Sequence, residues 1–93
     1  MIKAEEKMIQ SDLDMMKNPV SWKQYPFLPI KSNKTGKLQV GFLYADKKPV
    51  IYLENIFNIG EMGIQTIKDL QSKIKFVVYV SFEDILRDEW IVD

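Results

Sequence analysis

Three observations predict an α+β domain built on a small, mostly antiparallel sheet. Residues 38–55 place two runs rich in β-branched and aromatic side chains on either side of a polar break, Ala45-Asp46-Lys47-Lys48-Pro49, the pattern of a β-hairpin. Residues 74–80, Ile74-Lys75-Phe76-Val77-Val78-Tyr79-Val80, read as a third strand. Apolar residues at helical spacing occupy both ends of the chain. The expected sheet has three strands, 37–44, 49–55 and 74–80. An N-terminal and a C-terminal helix pack on it, and a proline-rich strap runs along one side.

In chain order, residues 1–18 form the first unit. Ile2, Ile9, Leu13 and Met16 fall on one stripe with Met8 at its edge, and Asn18-Pro19 stops the helix. Met8, Met15 and Met16 suit either packing onto the sheet or an adaptable partner-binding face. Residues 19–36 hold Pro19, Pro26 and Pro29 with Trp22, Tyr25 and Phe27, which excludes a regular helix and favours an extended strap ending in the polar turn Ser32–Gly36. In the hairpin, Leu38, Val40, Phe42 and Tyr44 share one face while Gln39 and Gly41 mark the other. The second strand, Val50 to Asn55, is apolar on both faces and belongs inside the sheet, covered on each side. A loop with two glycines follows, then a short helix over 64–73 carrying Ile64, Ile67 and Leu70. In the strand after it, Ile74, Phe76, Val78 and Val80 share a face. Ser81 caps the last helix, with Glu83 and Asp84 in its first turn where the helix dipole favours acids. Phe82, Ile85, Leu86 and Trp90 face inward, and Ile91-Val92-Asp93 forms a candidate edge strand.

Ninety-three residues suit one domain, 1–93, with a modest core. The absence of Cys and His removes disulfides, thiolate sites, the commonest general base and the commonest zinc ligand. No apolar run approaches the ~20 residues of a membrane helix, and the first residues lack a signal-peptide core, so a soluble cytoplasmic protein is expected. Net charge is zero but uneven: residues 21–53 carry six Lys against Asp46 alone, and residues 54–93 carry eight acids against four cations. Such polarity suits solvated faces or a two-signed binding surface.

Four runs of residues carry a resemblance. They are Trp22-x-x-Tyr25-Pro26-x-Leu28-Pro29-x-Lys31, Gly41-Phe42-Leu43, Val50-Ile51-Tyr52-Leu53-x-Asn55-Ile56-Phe57, and Tyr79-x-Ser81-x-Glu83-x-Ile85-Leu86-x-x-x-Trp90-x-Val92-Asp93. Over residues 22–93 the chain resembles short, uncharacterised proteins encoded by bacteriophages and prophages of Gram-positive bacteria. It departs from them at Glu89, where a Gly usually ends the last helix. The resemblance implies a setting, a small phage accessory protein in the host cytoplasm. It carries over no activity and no catalytic residue.

The residues themselves argue against an enzyme. Without His or Cys a serine nucleophile needs a Lys base, and nothing in the sequence pairs one with a Ser. Gly60-Glu61-Met62-Gly63 has the outline of a phosphate-clamping GxxG loop, but its middle residues are acidic and apolar and the segment before it is too short for the required helix. Asp84 and Asp88 share a helix face without an accompanying motif, so no catalytic, metal or cofactor site is expected. The leading expectation is a protein-binding module that modulates a host or phage protein, as an inhibitor for example. Its candidate contacts are Trp22, Tyr25, Phe27, Glu83, Asp84, Asp88 and Glu89. The alternative is a single-stranded nucleic-acid module using Lys23, Lys31, Lys34, Lys37, Lys47 and Lys48 among the aromatics. A third reading is homodimerisation through an uncovered sheet edge.

Overall fold

An apolar run without alternation must be covered on both sides, and Val50, Ile51 and Tyr52 are all buried. In the computed structural model, which describes the backbone of residues 2–93 and the side chains of residues 10–93, they form β3 (Val50–Tyr52). The remaining strands are β1 (Phe27–Ser32), β2 (Gln39–Tyr44), β4 (Phe76–Val78) and β5 (Ile91–Val92). They make one antiparallel sheet in the order β4-β3-β2-β1-β5. Three helices, α1 (Ile2–Lys17), α2 (Ile67–Lys73) and α3 (Phe82–Arg87), and two 3-10 segments, Pro19–Ser21 and Ile56–Met62, complete the fold. Met1 and the stripe side chains of Ile2, Met8 and Ile9 lie outside the described residues.

The period of two divides the sheet into two apolar faces. Leu28, Ile30, Leu43 and Ile51 point to the face covered by α1 and α3, where they meet Met16, Trp22, Ile85 and Trp90. Phe42, Val50 and Tyr52 point the other way, beneath Ile59 of the second 3-10 segment and Leu70 of α2, with Ile74 beside them. An aromatic row crosses this second face from β1 to β4. Phe27 meets Phe42 edge-on at 5.2 Å, Phe42 stacks on Tyr52 at 5.3 Å, and Tyr52 lies 5.9 Å from Phe76.

The helix starts follow local chemistry. Thr66 Oγ1 accepts from Asp69 N at 3.2 Å, and the Asp69 carboxylate accepts from Thr66 N at 3.2 Å, a capping box at the head of α2. Ser81 Oγ accepts from Asp84 N at 3.2 Å and starts α3 as the sequence predicts.

The structure corrects several expectations. The sheet has five strands rather than three, and the proline-rich segment is not a strap across it. Half of that segment, Phe27–Ser32, is β1, paired along its length with β2. Proline is tolerated there for a geometric reason. The Pro29 carbonyl accepts from Asp93 N at 3.0 Å, so the Pro29 nitrogen also points to the β5 side, and no donor is lost from the β1–β2 ladder. The Gly41 face of β2, which the sequence marks as the non-apolar one, is a core face: Gly41 is buried with Ile51 and Trp90 against it. Ile64 stands outside α2, which begins at Ile67, but still packs on the second cluster. Gly63, not Gly60, takes the left-handed backbone that the glycine loop requires, at φ 66°.

Candidate interaction surfaces

The three aromatic candidates have three different fates. Trp22 is 5% exposed, and its Nε1–H donates to the Met15 carbonyl at 2.6 Å. It is a core residue rather than an exposed anchor, because the turn after α1 folds the indole back under the helix end, where its one polar atom finds a partner. Phe27 is half-buried in the aromatic row. Tyr25 alone stands in solvent, at 61% exposure. Met16 is fully buried, so at that position α1 serves the core.

The acidic candidates lie together on and just after α3, and three of the four are already paired. Glu83 meets Lys17 at 3.3 Å, and Asp84 meets Arg87 at 2.7 Å. Asp88 accepts from Lys34 and, at 2.6 Å, from the Tyr79 hydroxyl. The Lys34 ammonium first, then the Tyr79 hydroxyl, hold the Asp88 carboxyl below the usual range. A backbone hydrogen bond and the Lys17 contact lower Glu83 likewise. Glu89 adopts φ 66°, the left-handed residue of a helix end in which Glu89 N donates to Leu86 O at 3.0 Å and Trp90 N to Ile85 O at 3.4 Å. These contacts make the acidic stretch a brace between α3, α1 and the β1–β2 loop.

The six lysines are not gathered on one surface. Lys34 and Lys37 lie in the loop before β2, whereas Lys47 and Lys48 lie in the turn after it, a strand length of roughly 20 Å away. Lys31 pairs with Asp93 at 3.2 Å, and Lys34 pairs with Asp88. Lys23 stands apart, exposed ahead of β1.

Two apolar surfaces that the sequence did not single out are left in solvent. The first is a groove walled by Pro29, Val40, Ile56 and Phe57, with Gln24, Asn55 and the acidic Asp93 as polar neighbours. In a 3-10 segment residues three apart share a face, so Ile56 and Ile59 turn inward and Phe57 turns out, 80% exposed. The turn is well braced: Asn55 Oδ1 accepts from Phe57 N at 3.0 Å, and Asn58 Nδ2 donates to Glu54 Oε1 at 2.6 Å. Asn55 followed by Ile56-Phe57-Asn58-Ile59 was the legible signal, a cap ahead of an inward pair with an aromatic left over.

The second surface is the β4 edge. Lys75 O accepts from Leu53 N and Tyr79 N donates to Pro49 O, each at 2.8 Å, so residues 75, 77 and 79 face β3. Phe76 and Val78 therefore turn their N–H and C=O outward, where they meet no partner among the described residues. Val78 is 67% and Val80 91% exposed. The opposite edge is treated differently. Val92 N, turned to the free side of β5, donates to the Asp12 carboxylate of α1 at 3.1 Å.

No helix among the described residues is long and apolar enough to cross a membrane. None of the protein-family models, curated proteins or solved structures compared with the chain matches it.

Proposed function

We propose that this protein is a non-enzymatic accessory module that binds another protein through the groove beside Phe57 and modulates it by occupying its surface. The observation that carries the reading is the Phe57 ring, held in solvent by a capped and hydrogen-bonded turn beside Val40 and Pro29. Covering one such ring contributes roughly 1.5–3 kcal/mol, and a turn that is already ordered loses little freedom on binding. Aromatic anchors of this kind dominate many interfaces. The resemblance to short phage-encoded proteins makes a host or phage protein the partner to look for, with inhibition as the form of modulation.

The test is affinity capture from a host-cell lysate, with nuclease and without it, using the wild-type chain and Phe57→Asp side by side. The expected result is one host protein retained by the wild type after nuclease treatment and lost with Phe57→Asp. Equal retention by both chains would remove the groove from the reading. Recovery of nucleic acid alone, released as salt rises, would replace it with the lysine-based alternative.

A further inference from the structure

The second face of the sheet carries an inference that does not depend on the Phe57 groove. We infer that α2 is a lid that leaves the sheet and unwinds while the strands stay paired, and that the unpaired Tyr52 hydroxyl beneath it favours the opening.

Three observations converge on α2, and the first is its grip. Leu70 is its one buried residue, whereas Lys68, Gln71, Ser72 and Lys73 stand in solvent. The chain is held on either side of the helix instead, because Ile64 and Ile74 pack on the second cluster.

The second is where the hydrogen bonds of residues 65–73 go. They close within residues 62–74: the Thr66–Asp69 capping box, the bonds from Leu70 N to Thr66 O and from Ile74 N to Leu70 O, and Lys73 Nζ to the Met62 carbonyl at 2.8 Å. None among the described residues reaches a strand, so lifting α2 breaks no bond of the sheet. A helix this short does not hold its turns alone in water. Once Leu70 is withdrawn, α2 unwinds.

The third lies underneath. Tyr52 is 1% exposed, and its hydroxyl has no hydrogen-bond partner among the described residues. Gln71 of α2 lies beside the hydroxyl without completing a bond to it. A buried hydroxyl left unpaired costs free energy that contact with water restores. The Tyr52 ring, stacked on Phe42, therefore favours the closed state while its oxygen opposes it. A weakly held helix over a group that gains by exposure is the part of a fold that opens first.

Native-state amide exchange on the full chain, in low concentrations of urea, tests the inference. The Leu70 and Ile74 amides, which close the turns of α2, should exchange about a hundredfold faster than the β1–β2 ladder amides and respond little to urea. Tyr52→Phe removes only the oxygen and keeps the ring, so the fold is retained and exchange in α2 should slow at least about fivefold. Gln71→Ala changes an exposed side chain and should not hasten exchange. Amides in α2 as slow as those of the ladder would overturn the lid. Unchanged or faster α2 exchange in Tyr52→Phe would show that the hydroxyl gains nothing by opening and overturn its role. Faster exchange in Gln71→Ala would do the same, by making Gln71 the partner of the hydroxyl in the closed state.

Discussion

The Trp90 indole lies against the one position in β2 that has no side chain, Gly41. A Cβ built there would stand 3.7 Å from Trp90 Cζ3, 3.0 Å from Ile51 Cγ2 and 2.8 Å from the Tyr52 carbonyl oxygen. The helix end that delivers Trp90 is fixed by the two backbone bonds to Ile85 O and Leu86 O. The bare strand and the C-terminal turn therefore fit one another, and the fit ties α3 to the middle of the sheet.

Gly41→Ala should destabilise the protein by about 1–3 kcal/mol, the usual range for forcing a methyl into a packed core. Two of the three near neighbours are backbone or a β-branched side chain, which yield poorly. A urea midpoint shift at unchanged slope measures it, and a cost under about 0.5 kcal/mol would show that the contact relaxes freely.

Glu89→Gly should stabilise the protein by about 0.5–1 kcal/mol. Glu89 sits at φ 66°, where an L side chain costs roughly 1–2 kcal/mol, while glycine's extra freedom in the unfolded chain returns part of the gain. Since the Glu89 side chain is exposed, little packing is lost. Unchanged or lower stability in chemical denaturation would mean that its carboxylate has a compensating role.

Much of this fold was legible because it is local. The hairpin, the Ser81 cap, the inward Ile85 and the Asn18-Pro19 helix stop depend on residues within a few positions of one another. β1 was hidden because three prolines signal against a strand, and only the end of β5 at Asp93 makes Pro29 acceptable. The fate of Trp22 was hidden for a related reason: its burial depends on where Met15 leaves its carbonyl. The open and guarded sheet edges are likewise products of strand order, which no single segment encodes. Charge patterning misled most, because pairs such as Lys34–Asp88 join residues 54 positions apart.

The split within the aromatic segment predicts a split in stability. Trp22→Ala should cost about 3–5 kcal/mol, for it empties a core site and leaves the Met15 carbonyl without its indole donor. Tyr25→Ala, only three residues on, should change stability by no more than about 0.5 kcal/mol. Equal costs in thermal or urea unfolding would contradict the separation of core from surface.

The Lys34–Asp88–Tyr79 brace predicts how stability varies with pH. Asp88 is held low by Lys34 first and Tyr79 second, so its contribution is full above the unfolded carboxylate value of about 3.9 and is lost as pH falls through the lower folded value. Lys34 is raised by Asp88, and Tyr79 is raised first by burial and then by Asp88. Both contributions are full below unfolded values of about 10 and are lost as pH rises through the higher folded values. Stability should therefore hold between about pH 4 and pH 10 and fall on either side. Asp88→Asn removes one acid-side contribution and the shared carboxylate on the alkaline side, so both falls should become shallower. Some acid sensitivity must persist, because Asp69, lowered first by the Gln65 backbone N–H, and Glu83 still titrate below their usual range. Part of the alkaline fall must persist too, because burial alone still raises Tyr79. Urea midpoints measured across pH for both chains decide the matter. An acid limb as steep in Asp88→Asn as in the wild type would place the acid sensitivity elsewhere in the chain.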